Sequence, residues 1–465
     1  MMNNGALYLG IDLGTSGVKC VLLGRDGIVK SSQQKYEIAG IYGWSQAIRA
    51  AVIKLELGTG PLLGMAFSSQ VGTYVVDQKD VVVWWESHGR EELDWLMANI
   101  GEDALEDAVS MRHPRLVSYP LPRYLYIKKA FPRATKVVMP KDYFVERLTG
   151  RCVSDKFTYR GLFNFEKGRI CTELLQRLGI DFSLPEIVQP TDVVGTVSDA
   201  AATEFGIPAD TPVYCGMNDF FAGLVGMGVC RLGDAFDLSG TSEHVGFISD
   251  KRAKSDAISG DFVVGHATYG GTKSSGKACD LAISELDGRA VDGAPCVRKN
   301  APVFLPYLMG ERAPVYDENA RGVMFGFSHT TSRDDMAYAC LEGVAFSIKD
   351  VAQHIGMAKP KRMIVGGGAA KSPLLNALKA ELFDTEIWVC TESANSALGA
   401  AMTAMVGAGE FDGFESAASL VRYDAVVRPM GQDRETLCAR FATYKALYPA
   451  LKEEFKIFNS QESKK

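Results

Sequence analysis

The sequence lacks the marks of several common protein classes. No run approaches the roughly 18 apolar residues of a membrane-spanning helix, and the opening MMNNGALYLGIDLG has neither the basic and apolar stretches nor the cleavage site of an export signal. A cytoplasmic location with no membrane partner is therefore expected. Ten cysteines are scattered singly, without a C-x-x-C pair or a Cys/His cluster, so neither a zinc site nor a disulfide framework is indicated. Most should be small buried apolar residues. Long basic blocks are also lacking: 50 Lys and Arg against 56 Asp and Glu leave a formal charge of −6, which disfavours a nucleic-acid partner. The P-loop pattern G-x-x-x-x-G-K-[ST] does not occur.

What is present is an ordinary globular balance, 47% hydrophobic and 23% charged, over 465 residues. That length exceeds the usual single core and predicts two domains. Residues 6–13 and 18–23 read as strands joined by the turn Gly14-Thr15-Ser16-Gly17, a hairpin and not the strand-to-helix turn of a P-loop or dinucleotide fold. The stretch GDAFDLSGTSEHVGFIS at 233–249 repeats the pattern, so two similar halves are expected, the second beginning near 234. Further strands are expected at 62–67, 72–77, 81–85 and 212–215, and helices at 140–150, 334–355, 373–382 and 395–406. Gly150 closes the first of these helices as a left-handed C-cap.

Small-residue turns let backbone N–H groups wrap phosphate oxygens. DLGTSGVK adds Asp12, which could hold Mg²⁺, together with Thr15, Ser16 and Lys19, although a plain hairpin turn explains it equally well. Ser239-Gly240-Thr241-Ser242 is the matching turn. In VGGGAAKSPLL, consecutive glycines precede Ser372, an N-cap, and Pro373 in the first helical turn, where a nucleotide could rest against the helix start. Asp219, in CGMNDFFAG, reads locally as the cap of the following helix, while the same place would suit a proton acceptor for a substrate hydroxyl. Gln70 and Trp85 end strands as a polyol pocket would want, or as a core edge would.

Taken in order, GIDLGTSGVK, KDYFVERLTG, GIPADTPVYCGMNDFFAGLVG, LSGTSE, FLPYLMGERAPVYDENARG, GVMFGFSHTTSRDDMAYACLEG and VGGGAAKSPLL resemble the FGGY family of carbohydrate kinases, and among them its xylulokinase-like members. The resemblance implies an α/β, two-domain actin/Hsp70/hexokinase-type ATPase fold with a ribonuclease H-like core in each domain and an interdomain cleft. Domain one would be 1–233, with the sugar site, the first phosphate turn and the catalytic Asp. Domain two would be 234–465, with the second phosphate turn and the adenosine side. It implies ATP and Mg²⁺, with Asp12 organising the metal and Asp219 as the catalytic base, against the local reading as a cap. Thr15, Ser16, Lys19, Gly240, Thr241, Gly276, Gly367, Gly368 and Ser372 would serve the nucleotide, and Gln70, Trp85, Asn218 and Asp219 the sugar. Family members are commonly homodimers.

The sequence departs from the family in WWESHGRE, where W-x-D-x-R is frequent, and in Val71-Gly72 after Gln70, where Met-His is common. Ala377 and Glu381 stand where Gln and Asp are usual on the nucleotide side. A ketopentose such as xylulose is the first expectation for the substrate. The alternatives are another polyol or sugar alcohol, a catalytically weak sugar-binding regulator, or an ATPase that moves a protein partner.

Overall fold

The structure, a computed structural model, describes residues 6–38, 40–57, 62–113, 115–240, 243–253, 257–273, 275–286 and 297–462. The elements that frame the site begin with β1 (Leu7–Leu13), β2 (Gly17–Gly24), β3 (Gly27–Lys35), α1 (Gly40–Leu55), β4 (Leu62–Ser69), α2 (Pro140–Thr149), β5 (Val153–Asp155), β6 (Val193–Thr196), β7 (Pro212–Asn218) and α3 (Asp219–Gly226). They continue with β8 (Asp234–Ser239), β9 (Glu243–Ser249), β10 (Ile258–Asp261), β11 (His266–Gly271), α4 (Ser275–Asp280), α5 (Arg333–His354), β12 (Arg362–Gly367) and α6 (Pro373–Phe383). Last come β13 (Ile387–Cys390), α7 (Asn395–Gly407), β14 (Ala425–Val427) and α8 (Arg434–Glu462).

Two compact units form. One holds the described residues of Met1–Cys230, Gly260–Val264 and Ala394–Val421, the other those of Arg231–Ser259, Gly265–Ser393 and Arg422–Lys465. The first unit contains a six-stranded sheet ordered β6-β7-β4-β1-β2-β3, and a seven-stranded sheet runs β10-β11-β9-β8-β12-β13-β14. Both are mixed and wired alike. An antiparallel hairpin, β1–β2 or β8–β9, is followed by a parallel neighbour, β4 or β12, on the other side of its first strand. The expected repetition of the opening hairpin is thus a repetition of topology.

Residue alternation along β1 divides two tasks. Leu9, Ile11 and Leu13 enter a core with Trp44, Ile48 and Val52 of α1 and Phe144 of α2. Gly10 and Asp12 face the other way, and there α7 packs so closely that a Cβ on Gly10 would lie 1.9 Å from the Ala397 carbonyl oxygen. Gly399 meets Ala222 of α3 in the same manner, at 1.8 Å. The small residues of α3 and α7 are what allow this contact. They also explain why α7, which chain order assigns to the second half, completes the first unit.

The helices expected at 140–150, 334–355, 373–382 and 395–406 form within a residue or two of those bounds, and Gly150 takes the left-handed C-cap. The strand expected at 81–85 stops at Val82. Beyond it, side chains satisfy the backbone in place of a ladder: Thr73 Oγ1 accepts from the Trp84 N–H at 3.2 Å, and the buried Arg123 donates to the carbonyls of Trp84 and Glu86. Of the nine described cysteines, seven are buried. Among the described residues no helix is long and apolar enough to cross a membrane.

Candidate functional site

The carboxyl ends of three parallel neighbours, β1, β4 and β7, lie side by side in the first unit. Asp12 is in register with Ser68, which pairs with Met217; Leu13 is in register with Ser69, which pairs with Asn218. Strand ends of this kind are where open α/β sheets bind ligands. The register brings Asp12, Gln70, Asn218 and Asp219 to one edge. Lys19 joins them across the hairpin, opposite Asp12.

Asp12 is buried and accepts a hydrogen bond from Ser68 Oγ at 2.8 Å. Burial raises its pKa to about 6, against the lowering effects of the Ser68 hydroxyl and the Lys19 charge. Asp219 is half-buried at the first position of α3. Its pKa is pushed up to about 8, first by burial and then by the charge of Asp12, while the Phe220 N–H and Arg160 pull it down. One carboxylate oxygen accepts from that N–H at 2.8 Å, and Ser396 Oγ fixes the Asp219 carbonyl at 2.9 Å. The helix cap is Asn218 and not Asp219: Asn218 Oδ1 accepts from Phe221 N–H at 3.0 Å. The cap has moved one residue back, leaving the Asp219 carboxylate for other work.

Gln70 and Asn218 are almost wholly buried, yet Gln70 Oε1 and Asn218 Nδ2 have no hydrogen-bond partner among the described residues. An acceptor and a donor left open at a strand-end cluster suit a ligand with several hydroxyls. Thr15 and Ser16 are exposed on the turn, where Gly14 N–H closes onto the Gly17 carbonyl at 3.1 Å. Trp85 is exposed and packs edge-on against Trp84 at 6.0 Å. It is Trp84 that reaches the turn, donating from Nε1 to Thr15 Oγ1 at 3.2 Å. In the altered segment, His88 stacks on Tyr126 at 4.5 Å.

In the second unit, Ser239 binds two segments together. Its hydroxyl donates to the Gly366 carbonyl at 2.8 Å and accepts from Ala369 N–H at 2.9 Å. Gly240 thereby stands beside Gly367 and Gly368. Gly367 has φ +86 and a Cβ there would meet the Ser239 carbonyl at 1.9 Å, whereas the space around Gly368 is open. Ser372 caps α6 through Leu375 N–H with Pro373 in its first turn. Gly276 lies in the first turn of α4, which Ser275 ties to the buried Glu243. Thr241 lies outside the described residues.

Behind this turn the fully buried Lys379 ammonium bridges Asp237, at 2.5 Å, and Glu243, at 2.8 Å. Burial alone would push the lysine down, but the two acids pull it well up and keep it charged. Glu381, at the position where Asp is usual in the family, is buried and accepts the N–H groups of Met430 and Gly431. Ser68, Trp84, Arg160 and Lys379 are absent from the sequence expectations. Only Ser68 carried a signal, as part of the polar SSQ that ends an apolar strand.

Two family profiles match this chain: the FGGY family of carbohydrate kinases, N-terminal domain, over residues 44–226, and the C-terminal domain of the same family over 239–408. The chain belongs to the FGGY family of carbohydrate kinases. This FGGY kinase is 26% identical to the xylulose kinase of Staphylococcus xylosus, covering 95% of this chain and 100% of that protein. It is 24% identical to the gluconokinase of Bacillus subtilis (strain 168), over 89% of this chain and 90% of the other. A solved xylulose kinase from Lactobacillus acidophilus superimposes with a TM-score of 0.86 at 24% identity, covering 97% and 100% of the two chains. Plasmodium falciparum glycerol kinase, solved with ADP, gives 0.84 at 17% identity, covering 96% and 98%. The FGGY kinase is accordingly a phosphotransferase with an alcohol acceptor on the two-domain actin-like ATPase fold.

Proposed function

We propose that this FGGY kinase transfers the γ-phosphoryl group of ATP to a hydroxyl of a ketopentose, xylulose first, with Asp219 as the general base. The observation that carries the reading is the Asp219 carboxylate, held at the head of α3 with its pKa raised to about 8. A base of that strength can take a hydroxyl proton near neutral pH. The acceptor oxygen would form the new bond to the γ-phosphorus as the bond to the β-phosphate oxygen breaks. The proton passes to Asp219, and ADP leaves. Positioning and charge neutralisation do most of the work in such a transfer. Gln70 and Asn218 would orient the sugar through their open amide atoms, with Trp85 beside them.

We assign phosphate contacts to Thr15, Ser16 and Lys19, and in the second unit to Gly240, Thr241 and Gly276, with Gly367, Gly368 and Ser372 on the adenosine side. Asp12 would hold Mg²⁺, which neutralises phosphate charge when bound. An ion of this kind takes one or two carboxylates and fills its shell with water and phosphate oxygens. Asp12 fits: one oxygen is engaged by Ser68, while the other faces the turn, 3.7 Å from where a Cβ on Gly14 would stand. Dependence on ATP supports a cytoplasmic location.

A second acceptor class, a sugar acid, is favoured by the similarity to a gluconokinase and by Arg160, whose guanidinium lies 5.3 Å from the Phe221 ring and whose charge acts on Asp219. The test is Mg²⁺-dependent ADP release across xylulose, ribulose, aldoses, gluconate, glycerol and longer polyols. Xylulose should stand at least about tenfold above the rest in kcat/KM. A gluconate maximum selects the second reading. A flat panel from a protein that still binds ATP overturns both in favour of a regulator.

A further inference from the structure

Lys141 is the second residue of α2 and is wholly buried, yet it carries a charge. Its ammonium has three hydrogens and three oxygen neighbours: Asp142 Oδ1 at 2.8 Å, Asp155 Oδ2 at 3.2 Å and the Cys215 carbonyl at 3.2 Å. The Lys141 backbone N–H donates to Ser69 Oγ at 3.1 Å. Apart from Asp142, its neighbour on α2, each partner lies on a segment that leads to the strand-end cluster.

The Cys215 carbonyl belongs to an interruption in β7. Pairing with β4 skips from Tyr214–Ala66 to Met217–Ser68, which leaves one extra residue on β7. Gly216 accommodates it with φ +72, in a space where a Cβ would lie 2.0 Å from the Phe67 carbonyl oxygen. The N–H groups of Cys215 and Gly216 turn away to the carbonyls of Asp192 and Pro190. Lys141 takes the Cys215 carbonyl. A bulge re-aims the residues that follow it, and here those are Asn218 and Asp219.

Ser69 pairs with Asn218 and immediately precedes Gln70. Asp155, besides Lys141, accepts the N–H groups of Phe157 and Thr158 at 2.9 and 3.0 Å. That turn leads to Arg160, over the ring of Phe221. Lys141 therefore joins three segments: its ammonium holds those that bear Asn218 with Asp219 and Arg160, and its backbone N–H holds the one that bears Gln70. Buried ion pairs seldom add stability over well-packed apolar groups. The directional hydrogen bonds of Lys141, to the Cys215 carbonyl and from its backbone to Ser69, do fix geometry.

We propose that Lys141 is a positioning residue for the phosphoryl acceptor, setting the placement of Asp219, Asn218 and Gln70 through the Cys215 carbonyl, Ser69 and Asp155. The inference rests on the reading of Asp219 as the base. It is tested on the full-length kinase with Lys141→Met, the charge-balanced Lys141→Met/Asp142→Asn and Ser69→Ala, each normalised to its active fraction by nucleotide titration. Both lysine variants should lose on the order of 10- to 100-fold in kcat and raise the sugar KM about fivefold or more. The Kd for ATP should stay within about twofold, and Ser69→Ala should move kcat and sugar KM the same way by about two- to threefold.

A structural role alone would lower the melting temperature and the active fraction but leave the normalised kcat and sugar KM at wild-type values. That result overturns the proposal. Should Lys141→Met not fold, the paired variant and Ser69→Ala decide by the same criteria. A wild-type enzyme that turns over no sugar removes the functional reading and this inference with it. An active wild type with unchanged variants removes the positioning role alone.

Discussion

Asp219→Asn should separate activity from stability in opposite directions. The kcat/KM of a free enzyme follows the ionisation of its base, and the Asp219 carboxyl titrates at about 8 in the folded protein because of burial and the neighbouring Asp12. Sugar kcat/KM of the wild type should then fall about tenfold for each pH unit below that value. Asn keeps the acceptor for Phe220 N–H but takes no proton, so most turnover should vanish at every pH. The stability effect has the opposite sign. With the folded value near 8 above an ordinary value of 3.8, the native state holds a proton that the unfolded chain has released. Stability from this group is full below about pH 4 and is lost as pH rises through about 8. The separation caps the effect at about 6 kcal/mol, and partial exposure lowers it to roughly 1–3 kcal/mol. Urea unfolding from pH 4 to 9 should therefore show Asp219→Asn matching wild type at pH 4 and exceeding it at pH 8 to 9. A variant no more stable than wild type at pH 8, or a flat kcat/KM profile from pH 6 to 9, would refute the assignment.

Trp84→Phe removes the donor to Thr15, a bond worth about 0.5–1.5 kcal/mol net. It should raise the KM for ATP about two- to tenfold in steady-state assays, and an unchanged value would detach Trp84 from the turn. Lys379→Met strands Asp237 and Glu243 in the core, and urea titration at pH 7 should register a loss of about 3–5 kcal/mol. Gly399→Ala drives a methyl into the Ala222 carbonyl and should cost at least about 1–3 kcal/mol, as seen by calorimetry, with the helices pushed apart.

Much of the framework could be read from local chemistry. The hairpin at 7–24, the Gly150 stop and the Ser372-Pro373 helix start each depend on residues close in sequence, and each formed as expected. What escaped depends on residues far apart. The Val82 strand ends where Arg123 and Thr73, from other segments, take over its backbone groups. Trp84 joins Thr15 across 69 positions, and Lys379 joins Glu243 across 136. Neither lysine cluster has a local pattern, because a buried charge is told from a surface one only by what folds around it. The choice between Asn218 and Asp219 as the cap was hidden for another reason. Both residue types cap well, and the backbone alone decides which stands one place outside the helix.

The close glycine contacts of α7 with β1 and α3 bear on the order in which the chain acquires structure. On the ribosome, residues 7–226 emerge long before 395–407, so the face of β1 around Gly10 stays uncovered until most of the protein has been made. A chain cut near 233 would present that bare surface permanently. Expressed alone, the N-terminal half should aggregate, and supplying residues 394–421 through a linker should restore a monomer, since the first unit is finished by a piece synthesised almost last.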